Sequence, residues 1–332
     1  CRQAEDNCNM DSLPLRQAVG FALTTCRANL RFLPEGEKWY KGQHEPRYDL
    51  LQSLTLYPAE PLAVLAESRD KKYCFVELRN YMGWVDKKEI VFVDHDKWME
   101  YAAPKDFLVF TGDKQRIDTG DGTALLFQMG TRLPLKQPEI RKDGTWLAAM
   151  PAAVEGKLQE KLISIPADER VHKGWLPLSE NNLLRQSFRF LGEFYGWCGL
   201  EEGVDCASFT AAVYRSFGVD IPGDAVEQRH AMWAAENLAD LGREGKLAVL
   251  AKCRPGDLIF SEGHVMLYLG RDDKGEPYVI HASSSKWFPG EGDDGALKYY
   301  TRRVTVDDLW WHSGRNGRCI DDLILAGGMN LQ

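Results

Sequence analysis

The chain has 332 residues, enough for about two domains at ~150 residues each, and its 44% hydrophobic and 27% charged content excludes wholesale disorder. Net charge is 41 − 49 = −8, which argues against a nucleic-acid or anionic-membrane surface, since both need clustered positive charge. No apolar run nears the ~18 residues of a membrane helix; the best candidates, Ala18 to Thr24 and Leu247 to Ala251, fall far short.

The chain begins at Cys1 rather than Met. Residues 1–18 are polar and are expected to form an N-terminal tether, with Cys1 a candidate lipid anchor; an arbitrary start is the alternative. The eight Cys show no CxxC pair, so a zinc ribbon is not expected. Cys26 and Cys74 lie in strand-like runs of one unit. They are either a bridge in an oxidising compartment or two buried thiols.

Residues 19–95 read as all-β. Val19 to Cys26, Ala28 to Phe32, Leu54 to Tyr57, Leu62 to Ala66, Tyr73 to Leu78 and Gly83 to Val85 are the strand candidates. Pro34, Gly36, Gly42 and Pro46 mark a long loop between the second and third. Short strands at such spacing predict a small barrel. The ending Tyr81-Met-Gly83-Trp84-Val85 resembles the last hairpin of bacterial SH3-like domains, and Asn29-Leu30-Arg31 resembles their opening strand. Trp98 to Lys105 reads as a linker. Residues 104–178 repeat the theme loosely, with strand candidates Phe107 to Phe110, Ala124 to Gln128, Trp146 to Met150, Lys161 to Ile165 and Gly174 to Leu176. They resemble a second, divergent SH3-like unit. The cluster Asp118 to Gly122 reads as a plain turn, because it lacks the later Glu of a calcium loop.

Residues 180–332 change character. Leu183 to Tyr195 has helical spacing. Asp205 to Phe217 is a second helix, with Phe209, Val213 and Phe217 on one face and Gly218 ending it. Gln228 to Ala239 is predicted as a third. Asp257 to Phe260, His264 to Leu269 and Tyr278 to Ala282 read as strands, followed by elements from Val304 onward. Helices followed by strands predict an α+β domain.

Cys206 sits in the first turn of the second helix, where partial positive charge favours thiolate and Asp205 can cap. His264 opens a strand, sharing a face with Met266 and Tyr268, and His281 ends the next. A thiolate needs an imidazole partner, and that imidazole needs a third group to orient it. Cys206, His264 and His281 supply the three roles; a buried structural thiol and structural His residues are the bland alternative. His44, His95, His172, His230 and His312 lack such placement. Trp310 and Trp311 read as core.

Tyr195-Gly-Trp197-Cys-Gly199 and Gly203-Val-Asp205-Cys206-Ala-Ser208-Phe209 resemble the nucleophile region of the NlpC family of papain-like cysteine peptidases. Ile221-Pro222, Gln228, Arg254 to Phe260, Gly263-His264-Val265 and Ile280-His281-Ala282 continue the resemblance, in the family's order Cys, His, His. With two SH3-like units in front, the chain resembles murein peptidases that cut γ-D-glutamyl–diamino acid bonds. The resemblance implies two all-β SH3-like barrels followed by an α+β papain-like domain. It implies Cys206 as nucleophile, His264 as its ion-pair partner and later proton donor, and His281 as orienter. Tyr195 and the Cys206 N–H would meet the oxyanion. Trp197, Asp205 and Ser208 would line the site. Asp49 and Tyr81 of the first barrel would receive a free L-Ala terminus; a solvated loop carboxylate is the alternative for Asp49.

The sequence departs from the family at Ala207, where Ser is usual, at Ser208 for Gly, at Cys198 for Gly, and at Gly223 for Arg. Cys198 is therefore either a resting disulfide partner of Cys206 or a bystander. The expected partner is a murein peptide, with no cofactor, no nucleic acid, and a monomer in the bacterial envelope; a cytoplasmic recycling role is the alternative location. Two other functions compete: hydrolysis of a different amide or acyl bond, and a non-enzymatic wall binder in which Cys198, Cys206, His264 and His281 hold zinc.

Overall fold

The computed structural model describes residues 2–40, 47–120, 122–288, 297–312 and 317–328. Cys1, His44 and Asp121, on which three of the expectations fall, lie outside them. The chain divides into two compact units, Cys1–Leu176 and Pro177–Gln332. Among the described residues no helix is long and apolar enough to cross a membrane.

The first unit opens with a short helix, α1 (Arg2–Asn7), where a polar tether was expected. So short a helix cannot stand alone. It is held by burial of Ala4 and by Asn7, whose side-chain amide donates to the Pro34 carbonyl at 2.8 Å and whose carbonyl accepts from Arg69 N at 2.9 Å.

Strands β1 (Gly20–Thr24), β2 (Ala28–Arg31), β3 (Gln52–Leu56), β4 (Pro61–Glu67), β5 (Tyr73–Leu78), β6 (Tyr81–Asp86) and β7 (Ile90–Val93) form one antiparallel sheet. Their order is β3-β2-β6-β5-β4-β1-β7. Alternate residues point inward, as a two-residue period requires, and Ala22, Leu30, Leu62, Cys74, Val76 and Val85 fill the core. Gly83 is dictated by the crossing of β6 over β2: a Cβ there would lie 2.8 Å from Leu30 Cγ and 2.9 Å from the Arg31 carbonyl oxygen. Cys26 sits in the bend after β1, and both it and Cys74 are free thiols.

The expected linker is a helix, α2 (His95–Ala102). Asp94 caps it by accepting from Lys97 N. Its Tyr101 is buried, with the hydroxyl donating to Glu160 Oε1 at 2.9 Å. Arg132 Nη2 meets its last carbonyls, those of Tyr101 and Ala102, at 3.0 and 2.8 Å. The helix thus belongs to a core, not to a hinge.

The rest of this unit comprises β8 (Phe107–Phe110), β9 (Lys114–Asp118), β10 (Ala124–Gln128), β11 (Arg132–Pro134), β12 (Thr145–Val154), β13 (Lys157–Pro166) and β14 (Val171–Lys173). They pair as β11-β8-β14, β10-β9 and the hairpin β12-β13. The last strand comes earlier than predicted. Gly174, at φ 73°, turns the chain off the ladder, and Trp175 packs edge-on to Phe107 instead. Leu23, Ala59 and Val91 of the first barrel share one core with Leu108, Phe110, Phe127 and Ile163.

The second unit contains α3 (Glu180–Arg189), α4 (Cys206–Arg215), α5 (Ala225–His230), β15 (Ala234–Asn237), α6 (Arg243–Leu250), β16 (Leu258–Ser261), β17 (His264–Arg271), β18 (Pro277–Ser283), β19 (Lys286–Phe288), β20 (Leu297–Tyr299), β21 (Arg303–Asp308) and β22 (Leu323–Gly328). Six strands form one antiparallel sheet, β15-β22-β16-β17-β18-β21, while β19 and β20 pair separately. Helix α4 packs on β17 and β18, and its Phe209 and Val213 are fully buried. The predicted third helix ends early, at His230. The residues after it leave the helix because Ala234–Asn237 pairs with β22 as an edge strand, a long-range partner that local spacing does not reveal.

Gly83→Ala should destabilise the protein by about 1–3 kcal/mol, the usual cost of overpacking. A denaturant midpoint equal to that of the native chain would disprove this reading of Gly83.

Candidate active site

The site is built around the start of α4. Asp205 is its N-cap. The carboxylate accepts from Ser208 N at 2.8 Å and Ser208 Oγ at 2.7 Å on one oxygen, and from Cys198 N at 2.9 Å on the other. Ser208 Oγ in turn accepts from Asp205 N at 2.8 Å, closing a capping box. Asp205 and Ser208 were expected to contact substrate. In the structure their polar atoms fix the helix start and the loop before it. Burial pushes the Asp205 carboxyl above its ordinary range, against these donors.

The loop before α4 is constrained by sterics. A Cβ on Gly196 would lie 2.0 Å from the Leu200 carbonyl oxygen, and one on Gly203 would lie 2.6 Å from Gly196 N. Both positions therefore require glycine. Between them Cys198, Glu201 and Glu202 adopt left-handed backbone, at φ 47°, 55° and 59°. Gly196 N donates to the Val204 carbonyl at 3.1 Å, and Tyr195 pairs with Val204 in a parallel bridge. Tyr195 and Trp197 are thereby held in this folded-back loop, both partly buried. No disulfide joins Cys198 to Cys206; the Cys198 N–H donates to Asp205, the residue before Cys206.

Cys206 is the first residue of α4 and is 9% exposed. The N–H groups of Val265 and Ala207 point at its sulfur. Its own N–H, in the first helical turn, has no carbonyl of its helix to meet. Buried Gln228 pins this turn: Nε2 donates to the Ala207 and Pro222 carbonyls at 2.9 and 2.7 Å, and Oε1 accepts from Thr210 Oγ1 at 2.8 Å.

The two histidines come from adjacent strands. Glu262 and Gly263 form the turn between β16 and β17, with Gly263 at φ 64°, and His264 is the first residue after it. The β17–β18 register, with Leu267 opposite Ile280, places His264 and His281 on one face. His264 Nε2 and His281 Nδ1 are 2.7 Å apart.

Sequence reasoning missed what lies behind His281. Its Nε2 meets Asp307 Oδ2 at 3.0 Å. Asp307 also accepts from Thr305 Oγ1 at 2.6 Å and pairs with the buried Lys286 ammonium. Trp311 stacks on the His281 ring, 5.5 Å between centroids. Trp310 donates from Nε1 to Glu276 at 2.7 Å. The signal available in sequence was weak: Thr305 and Asp307 alternate with Val304 and Val306 in β21, where a solvated face is the ordinary reading.

The electrostatics correct one expectation. Burial, aided by the Asp205 charge, pushes the Cys206 thiol up to about 12. Burial and His281 push His264 down to about 3. These effects outweigh the helix N-terminus, which contributes only ~0.3–1 kcal/mol when exposed and up to ~2 kcal/mol when partly buried. Both shifts favour a neutral thiol and a neutral imidazole at rest over the expected thiolate–imidazolium pair. The zinc arrangement is also disfavoured, because His264 and His281 spend a ring nitrogen on each other. Among the described residues no cluster of three His, Cys, Asp or Glu side chains is placed to hold a metal.

Asp49 and Tyr81 belong to the first unit. Tyr81 opens β6 and is partly buried against the barrel core. Asp49 is 1% exposed, so neither an open ammonium site nor a solvated carboxylate describes it. It accepts from Arg31 Nη1 at 2.9 Å, Trp39 N at 3.0 Å and Leu51 N at 3.1 Å. The pair with Arg31 is an internal one.

The thiolate ultraviolet absorbance attributable to Cys206, native minus Cys206→Ser, should be absent at neutral pH and rise only toward about pH 12. A thiolate signal at neutral pH would overturn the neutral pair. Asp49→Ala, by stranding the Arg31 charge, should cost about 3–5 kcal/mol and leave the alkylation rate of Cys206 in folded protein unchanged. Chemical denaturation together with iodoacetamide kinetics would check both halves.

Residues 192–295 match the profile of the NlpC/P60 family, and residues 40–86 match that of the SH3 domain (SH3b1 type). No curated protein sequence matches the chain. Among solved structures, the fold is similar to an NlpC/P60 endopeptidase from Photobacterium damselae subsp. piscicida. That likeness has a TM-score of 0.81 at 16% identity and covers 98% of this chain and 77% of the other. It is also similar to an NlpC/P60 family protein from Bacillus cereus ATCC 10987, with a TM-score of 0.61 at 17% identity over 93% of this chain and 99% of the other. Profile and geometry meet on the same segment, the one carrying Cys206, His264 and His281: the chain bears a domain of the NlpC/P60 family, a family of cysteine peptidases, behind an SH3 domain of the SH3b1 type.

Proposed function

We propose that this protein is a murein peptide hydrolase of the bacterial envelope, a cysteine endopeptidase that cleaves the γ-D-glutamyl–diamino acid bond. The observation that carries the reading is Cys206 at the start of a helix packed on β17, its sulfur met by the N–H of Val265, the residue after His264, whose ring nitrogen lies 2.7 Å from that of His281. A nucleophile, a base and an orienting group are what acyl transfer through a thioester requires.

In this mechanism His264 takes the Cys206 Sγ proton as the sulfur attacks the scissile carbonyl carbon. Proton transfer and attack proceed together, because neither partner is charged at rest. The Cys206 N–H and the Tyr195 hydroxyl receive the developing oxyanion. The imidazolium then protonates the leaving amine of the diamino acid. A thioester remains on Cys206, and water activated by His264 releases the γ-D-glutamyl product. Trp197 walls the cleft. Ala207 removes the hydroxyl that the family usually places there, so the acyl side must be recognised by other groups. A requirement for a free L-Ala terminus does not rest on Asp49, whose carboxylate is used internally.

The deciding experiment incubates L-Ala-γ-D-Glu-diaminopimelate, with free and with blocked amino terminus, and reads products by mass spectrometry. Native protein should release L-Ala-D-Glu, and Cys206→Ala should release none. Cleavage that survives Cys206→Ala, or no cleavage of either peptide under reducing conditions, would refute the assignment. Equal cleavage of free and blocked peptides would remove the free-terminus requirement alone.

A further inference from the structure

We propose that Asp307 is a positioning residue that decides which nitrogens of His264 and His281 carry protons, and that Lys286 makes this decision one-way. The inference deepens the peptidase reading and rests on Cys206 being its nucleophile.

The proton positions follow from counting donors and acceptors. An ionised carboxylate only accepts. Asp307 Oδ2 lies 3.0 Å from His281 Nε2 and 2.6 Å from Thr305 Oγ1, and Oδ1 receives Lys286 Nζ. His281 Nε2 must therefore carry a hydrogen. In the neutral ring this leaves Nδ1 bare, so it accepts from His264 Nε2, 2.7 Å away. The nitrogen of His264 left with a lone pair is then Nδ1. His281 is fully buried and stacked against Trp311, which holds its ring in this orientation.

Lys286 supplies the direction. It is 7% exposed and has only hydrogens to offer, so whatever faces it at residue 307 must be an acceptor. An Asn at that position would turn its carbonyl oxygen to Lys286 and its NH2 toward His281. His281 would then accept at Nε2 and carry its hydrogen on Nδ1. His264 would have to accept at Nε2 and move its own hydrogen to Nδ1, losing the lone pair that takes the thiol proton. The other charges nearby are Asp308 and Asp322, which face the Cys319 thiol together with Asp307 and Lys286. Both ring nitrogens of His281 are taken, one by His264 and the other by Asp307.

The test compares native protein, Asp307→Asn, Lys286→Met, and the double variant. The substrate-free readout is iodoacetamide alkylation of Cys206 at neutral pH, followed by mass spectrometry on the peptide that carries it. Asp307→Asn should react about a hundredfold more slowly, the low end of what a positioned base contributes. Its kcat on the murein peptide should fall by about 10⁴, as in a serine-protease triad whose tautomer is flipped by the same substitution. Removing Lys286 in the Asn background frees the amide to turn round, and should restore at least about tenfold of either rate. Native rates in Asp307→Asn, or a double variant no faster than the single, would overturn the proposal. Nitrogen-15 spectra of the histidine rings in the native chain need no variant to fold. They should place hydrogens on Nε2 of both rings, and a hydrogen on Nδ1 of neutral His264 would also overturn it. Because alkylation needs no peptide, a failure of the cleavage assay would count against the peptidase reading and leave this one standing.

Discussion

A buried carboxylate at residue 205 organises the second unit. Its two oxygens take the N–H of Cys198, the N–H of Ser208 and the Ser208 hydroxyl. A carboxylate removed from water must find such donors or abandon its charge. Meeting that demand fixes three things at once: where α4 begins, which residue stands in its first turn, and how the preceding loop folds back. The loop can fold so tightly only because positions 196 and 203 are glycine. Gln228 then ties the same turn to α5. The position of Cys206 is thus a consequence of satisfying polar groups around it.

The same logic runs on the opposite side of the site. Asp307 is held by a lysine, a threonine and a histidine, and burial of His281 makes each bond matter more than it would in water. The two carboxylates act differently on the thiol. Asp205, close by, raises its pKa together with burial. Asp307 acts through two imidazoles. A sulfur that stays protonated at rest is less open to stray oxidation, since the thiolate is the reactive form. In the proposed mechanism, proton transfer to the imidazole is then coupled to the arrival of a carbonyl.

In the first unit, packing rather than chemistry leaves its mark on the motifs. Gly83 is there because β6 crosses β2 within reach of Leu30. Asp49 is there to satisfy Arg31 and two backbone N–H groups under a long loop. The core of the second β segment continues into the first through Leu23 and Val91, with α2 filling the gap. A segment that looks like a linker in composition is therefore part of the interior.

What could be read from the amino-acid order alone was whatever depends on local pattern. Period-two runs marked most strands of the first unit, helical spacing and Gly218 bounded α4, and the motifs around Cys206, His264 and His281 carried the family resemblance. Only the tertiary structure settled features whose partners are far apart in the chain. Asp307 is 26 residues from His281 and meets it through strand pairing. Ala234 to Asn237 leave the helical pattern because β22 supplies their hydrogen bonds. Asp49 looked available for substrate because exposure is not written in residue type. The burial that opposes a thiolate at Cys206 is hidden for the same reason. The helix-start effect is local and visible in sequence, whereas desolvation depends on everything packed around the sulfur, and at this site desolvation is the larger force.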